Sequence, residues 1–144
     1  MKIRNLKYKD LNQVLKIETE AYGEDHWSRD IFYSELDKKN NYNRVIIDDN
    51  EITGFLISSY LFEEAELLSI AVSQKYRGKG ISKLLMKDFL NFCKFNGIEK
   101  IFLEVKKTNN IAKSLYTSLG FKKISERKKY YSDGTDAEIM LLSL

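Results

Sequence analysis

The chain of 144 residues contains no proline, one cysteine and one histidine. Without proline no reversal is set by a fixed φ, so turns must rest on glycine, asparagine and aspartate. A lone Cys93 excludes an intrachain disulfide. Cys93 and His26 together make a poor zinc ligand set, so no metal is expected. Acid–base chemistry is left to carboxylates, tyrosines and lysines. No stretch approaches the roughly 20 apolar residues of a membrane span. The opening Lys2–Leu6 is strand-like, unlike the charged-then-apolar pattern of an export signal. A cytoplasmic protein with no membrane partner is therefore expected. Repeats, low-complexity segments and linkers are also missing, and the length suits one domain over residues 1–144.

Charge of both signs is present, but unevenly placed. The net charge is +3. Residues 1–72 carry 9 Lys/Arg and 14 Asp/Glu, a net of −5, whereas residues 73–144 carry 15 and 7, a net of +8. A basic half suits a polyanionic cofactor and an acidic half suits a cationic substrate, although solvation alone accounts for most such residues. The basic residues are spread over several elements, with no reading helix or aromatic platform, so no nucleic-acid partner is expected.

The most informative stretch is Leu67–Leu85. An apolar run ends at Val72, a basic loop follows (Tyr76, Arg77, Gly78, Lys79, Gly80), and Ile81, Leu84 and Leu85 then recur at helical spacing. Such a loop presents the unbonded N–H groups of a first helical turn, with the positive end of the helix dipole, to an anion such as phosphate. A surface turn before an ordinary helix is the plainer reading of this stretch alone. The glycine spacing is neither a Walker loop nor a dinucleotide fingerprint.

Taken in order, Lys2–Leu6 reads as a strand and Asp10–Tyr22 as a helix closed by Gly23. Ser28 is the expected N-cap of a second helix with core face Ile31, Phe32, Glu35 and Leu36. Arg44–Ile47 and Ile52–Phe62 are strands joined by a turn at 48–50, and 63–66 is expected to turn the chain into the strand ending at Val72. A helix over 80–95 is closed by Asn96 and Gly97. Ile98–Val105 is a strand with Ile101, Leu103 and Val105 on one face and Phe102 and Glu104 on the other. Asn109–Leu119 is a helix with core stripe Ala112, Leu115 and Leu119, and Phe121–Tyr131 and Asp136–Leu144 are two final strands. The order β-α-α-β-β-β-α-β-α-β-β gives an α/β (α+β) protein with a mixed central sheet of about seven strands flanked by about four helices.

Two side chains stand out chemically. Glu104 lies on a strand otherwise built for a core, so it must be paired, open to a cleft, or protonated. A rim glutamate or a partner for a lysine is the plainer alternative. Asn109, Lys113 and Tyr116 share one helix face. A phenol with an ordinary pKa near 10 is protonated at neutral pH and can donate a proton. A half-buried tyrosine at the edge of a core is the plainer alternative for Tyr116.

The spacing Arg77-x-x-Gly80-x-Ser82 after an apolar strand resembles the pyrophosphate loop of the GNAT acyltransferases, with Ser82 where glycine or alanine is usual. The element order is similar to the GNAT fold from end to end. Ile17-Glu18 with Ala21, Trp27-Ser28, Glu104-Val105, Asn109, Leu115-Tyr116, Leu119-Gly120-Phe121, Arg127 with Tyr130-Tyr131, and Asp136-Ala137 resemble the RimI-type branch, which acetylates protein N-termini. This resemblance implies acetyl transfer from acetyl-CoA to an amine. It implies a cofactor site of Ile70, Ala71, Val72, Arg77, Gly78, Lys79, Gly80, Ile81, Ser82 and Lys83, with Asn109 bonding the cofactor amides; Lys113 reads as a phosphate contact or a solvated charge rather than a nucleophile. It further implies a sheet that splays open near Ile70, where main-chain N–H groups meet the developing oxyanion. Donors fixed there contribute about 3–4 kcal/mol in comparable sites. By the same resemblance Glu104 is the proton acceptor and Tyr116 the proton donor, while Trp27, Tyr130 and Tyr131 line the acceptor site.

Tyr130 and Tyr131, adjacent on a strand, are expected to face opposite ways, and Trp27 to anchor its loop on the second helix. His26 and Ser132 stand where the branch often has proline, which bears on peptide preference. An α-amine has a pKa near 8 against about 10.4 for lysine, so a modest base is sufficient for an N-terminal acceptor. The implied partner is a protein N-terminus, with ribosomal protein S18 as the candidate and a monomer or weak homodimer as the working form. A lysine side chain, a polyamine or another small amine is the alternative acceptor, and a cofactor-binding module without turnover is the alternative outside enzymes.

Overall fold

The computed structural model describes residues 1–144. Its strands are β1 (Lys2–Asn5), β2 (Arg44–Asp48), β3 (Glu51–Leu61), β4 (Glu64–Val72), β5 (Lys100–Lys106), β6 (Lys122–Arg127) and β7 (Ala137–Ser143). Its helices are α1 (Leu11–Tyr22), α2 (Arg29–Leu36), α3 (Ile81–Phe95) and α4 (Asn110–Ser118). The seven strands form one sheet in the order β1-β2-β3-β4-β5-β7-β6, antiparallel except for the central β4–β5 pair. A parallel pair needs a crossover, and α3 supplies it. No helix is long and apolar enough to cross a membrane.

Two cores sit on opposite faces of the sheet. The larger gathers Leu85, Met86, Phe89 and Cys93 of α3 with Leu67, Ile101, Leu103 and Met140 of the sheet. The smaller gathers Leu11, Val14 and Ile17 of α1 and Phe32 of α2 with Val45, Phe55 and Ile57. Each strand contributes alternate residues to each face, as a period of two dictates. The reversals use the residues expected in a chain without proline. Asp49 and Asn50 both take positive φ in the β2–β3 turn, and Gly23 closes α1 at φ 54 with its N–H bonded to the Thr19 carbonyl.

Four local expectations change. Residues 64–66 belong to β4, and the turn is tighter, made at Phe62 with φ 55. The alternation of exposed Glu64 and Glu66 with buried Ala65 and Leu67 is that of a strand whose glutamates face solvent. In α2 only Phe32 is fully buried, while Ile31 is 43% exposed, because the helix has just eight residues and meets the core along a narrow strip. In α4 the stripe Ala112, Leu115 and Leu119 does pack on the larger core, but only partly buried, and Tyr116 is the one fully buried residue of the helix. Finally, β6 stops at Arg127. Lys129 adopts φ 51, and the Asp136 carboxylate accepts from its N–H at 2.9 Å. Tyr130 and Tyr131 are therefore off the strand. Freed from strand alternation, their rings meet edge to face at 5.1 Å and line the same cleft.

Candidate active site

The site begins where two strands part. β4 and β5 pair only from Glu64–Lys100 to Leu67–Leu103, although β4 runs on to Val72 and β5 to Lys106. The parting coincides with a bulge. Ile57 opposes Ser69 and Ser58 opposes Leu67, so Leu68 is an extra residue in β4. A bulge bends its strand and re-aims the residues beyond it.

Past Leu68, β4 remains paired on its β3 side, and that fixes what it offers to the gap. The Ser73 N–H donates to the Thr53 carbonyl at 2.7 Å. By alternation, Ser69 and Ala71 also turn their main-chain groups toward β3, and Ile70 and Val72 turn theirs to the gap. Both of these carbonyls are already occupied. The Tyr22 hydroxyl donates to the Ile70 carbonyl, and Arg77 Nε donates to the Val72 carbonyl at 3.2 Å. What the open edge presents is therefore mainly N–H donors.

At the end of β4 a short 3-10 turn, Gln74–Tyr76, leads to Arg77, Gly78, Lys79 and Gly80. Gly80 is the N-cap of α3 at φ 77, where a side chain would be strained, and it offers no capping oxygen. The first intrahelical bond runs from the Leu84 N–H to the Gly80 carbonyl, so the N–H groups of Ile81, Ser82 and Lys83 have no partner within the helix. Open space surrounds Gly78 and Gly80, with nothing within 4 Å of an added Cβ. An anion is accommodated at such a terminus without rearrangement.

The gap widens into a cleft of about 460 Å³, lined among others by Trp27, Ile70, Glu104, Tyr116, Tyr130 and Tyr131. Glu104 is half-buried and its Oε1 lies 3.0 Å from Arg127 Nε, so its partner is an arginine from β6 rather than a lysine. Tyr116 is 5% exposed. Burial raises its pKa, helped by the neighbouring Tyr22 and Tyr131 hydroxyls, so the phenol stays protonated through the neutral range. Tyr131 is likewise pushed up to about 12 by burial and by Glu104. Trp27 packs edge to face on Phe32 of α2 at 5.1 Å and also forms one wall of the cleft. Asn109 is turned inward on its own helix, its side chain accepting from the Ala112 N–H at 3.2 Å. Lys113 is bonded to Glu138 at 3.0 Å and to the Lys107 carbonyl, which fastens α4 to the sheet.

Several residues in and beside the cleft were given no site role by the sequence, although Glu18 and Arg127 are among the RimI-type matches. Glu18 of α1 is buried, with Oε1 accepting from Ser69 Oγ at 2.8 Å and Oε2 from the Trp27 N–H at 3.0 Å. Its signal was a carboxylate at a core-facing position, one turn beyond Val14. Tyr22, one turn further, and Arg127 bore no local sign of their roles. Asp25 clasps Ser132, accepting from both its N–H and its hydroxyl at 3.1 and 3.0 Å. A proline at 132 would have no N–H for this clasp, so the serine joins the two loops at the mouth of the cleft.

An open β4–β5 edge, free amides at the start of α3, and a carboxylate and a phenol on the cleft walls form an arrangement that acyl transfer could use. Residues 9–121 match the Acetyltransferase (GNAT) family, and the chain belongs to that family of N-acetyltransferases, whose acyl donor is acetyl-CoA. Within it the similarity is to the RimI type. A ribosomal protein bS18-alanine N-acetyltransferase of Haemophilus ducreyi is 31% identical over 144 residues, covering 99% of this chain and 98% of that one. The crystal structure of the ribosomal-protein-S18-alanine N-acetyltransferase from Escherichia coli superposes with a TM-score of 0.91 at 30% identity, over 99% of this chain and 92% of that one. Ard1 from Thermoplasma volcanium superposes with a TM-score of 0.92 at 25% identity, over 99% and 97%.

Proposed function

We propose that the protein acetylates the N-terminal α-amine of a protein, with the N-terminal alanine of ribosomal protein S18 as the candidate acceptor, by direct transfer within a ternary complex. The observation that carries this reading is the gap between β4 and β5, with Glu104 and Tyr116 on its walls and the uncapped start of α3 at its end. Acetyl-CoA, when bound, supplies an activated thioester. The chain's own groups suit it: the Ile70 and Val72 N–H groups face the gap, and the loop from Arg77 to Lys83 offers amides and cations for a pyrophosphate. Glu104 is assigned the proton of the acceptor nitrogen. Tyr116 holds its proton at the hydroxyl oxygen and yields it to the departing thiolate. Trp27, Tyr130 and Tyr131 enclose the acceptor residue and exclude water. The names of the relatives support an N-terminal acceptor over a lysine or a polyamine.

The test is a peptide beginning with the S18 N-terminal sequence, incubated with acetyl-CoA. Mass spectrometry should place one acetyl group on its α-amine. A panel containing lysine peptides and polyamines should react far more slowly. Preferential acetylation of lysine would overturn the assignment of the acceptor.

A further inference from the structure

Three carboxylates from three elements line the cleft: Glu104 on β5, Asp25 after α1, and Glu18 on α1. The first two are answered. Glu104 faces the Arg127 guanidinium, and Asp25, whose two oxygens accept from the N–H and hydroxyl of Ser132, is only half-buried and keeps contact with water. Glu18 is different. It is 1% exposed, yet both of its hydrogen bonds come from neutral donors, the Ser69 hydroxyl and the Trp27 N–H. The one side chain that favours its ionised form through charge is His26, whose Nδ1 lies 2.7 Å from the Gly23 carbonyl. Burial accordingly pushes the Glu18 pKa up.

A buried carboxylate without a counter-charge is costly unless a cation completes it. Each Glu18 oxygen retains acceptor capacity beyond its one bond. Its location is also specific. Glu18 is bonded to Ser69, the residue before Ile70, where the open edge begins. On the next turn of the same helix face, Tyr22 bonds the Ile70 carbonyl.

We propose that Glu18 is the acceptor-binding carboxylate, the counter-charge that draws the α-ammonium group into the inner end of the cleft and holds it before Glu104 takes its proton. This inference rests on the N-terminal-amine reading and adds to it a binding residue on α1, distinct from the base on β5. The competing role is a strut that merely ties the Trp27 loop to β4. The two differ in whether Glu18 senses the charge of the acceptor.

The experiment is a binding measurement by calorimetry in the presence of CoA, which cannot donate an acetyl group. Two peptides of one sequence are compared, one beginning with alanine and one with propionyl in its place, which lacks only the amine. The wild-type protein should bind the alanine peptide at least about tenfold more tightly, the scale of a close charge pair. In Glu18→Gln that preference should shrink to within about twofold. Glu18→Met, which keeps the volume and removes the charge, is the second variant should the amide not fold. Equal weakening of both peptides in the Glu18 variants overturns the proposal in favour of the strut. A wild-type protein indifferent to the amine overturns it with no variant at all. If neither peptide binds but a small amine does, the N-terminal reading itself fails, and this inference with it.

Discussion

The two halves of the β4–β5 pair are made by the same two strands and behave in opposite ways. In the first half, Glu64–Leu67 lies in a parallel ladder with Lys100–Leu103, and Ala65, Leu67, Ile101 and Leu103 are sealed in the larger core. In the second half, Leu68–Val72 and Glu104–Lys106 stand apart. The open half is not the poorer strand former. Ser69–Val72 is richer in β-branched residues than Glu64–Leu67. The opening coincides with the extra residue Leu68, and a phenol and a carboxylate stand at the walls of the gap. An exposed strand edge would normally invite pairing. Here Tyr22 and Arg77 cover the two carbonyls that face the gap, and the donors are left over. A sheet edge converted in this way suits ligand oxygens and suits another strand poorly.

Substitutions in the open half should have the largest effects. Tyr116→Phe keeps the ring's packing against Phe121 and removes only the hydroxyl. It should lower kcat by about 10²–10⁴ while the melting temperature stays nearly unchanged. Glu104→Gln should lower kcat on the same scale. Unaltered turnover in both variants, with CoA affinity intact, would remove the roles assigned to them. Gly80→Ala comes next. At φ 77 the added methyl strains the backbone by about 1–2 kcal/mol and stands where an anion would approach the α3 amides. CoA affinity should fall more than stability does, as calorimetry and thermal melts measured together would reveal.

Regions packed away from the gap should respond to pH and to reagents rather than to cofactor. Burial pushes the Asp10 carboxyl upward, but the bidentate Arg4 guanidinium and the Lys7 N–H outweigh it, and the pKa ends below its ordinary value. The native state therefore gains stability from this group above the unfolded pKa of about 3.9 and loses it as pH falls through the lower native value. Acid unfolding should begin at higher pH in Arg4→Ala, and acetyl-CoA binding at pH 7 should not change. The smallest effect concerns Cys93, buried under the larger core and pushed up to about 12 by burial. At pH 8 it should react with a thiol reagent only as fast as the core opens. Rapid labelling of the native protein would show that α3 is less firmly packed than its contacts imply.

The elements were legible because each carries its own period. Glu104 and Tyr116 could be singled out because a carboxylate on a core-type strand and a phenol on a helix face each break a pattern. Glu18 broke the pattern of α1 just as plainly, but its partners, Trp27 and Ser69, lie 9 and 51 residues away. Phe121–Tyr131 reads as one strand because nothing local announces the positive φ of Lys129, which is held by Asp136 from the far side of the loop.

From the sequence alone came the succession of strands and helices, the anion-ready loop before α3, and the exclusion of an intrachain disulfide. These rest on neighbours a few residues apart, whose spacing sets the face each side chain occupies. Only the folded chain decided where β4 leaves β5, which arginine faces Glu104, and that Glu18 lies buried among neutral donors. Those facts depend on pairs brought together from distant positions, and the packing of two cores against one twisted sheet selects them.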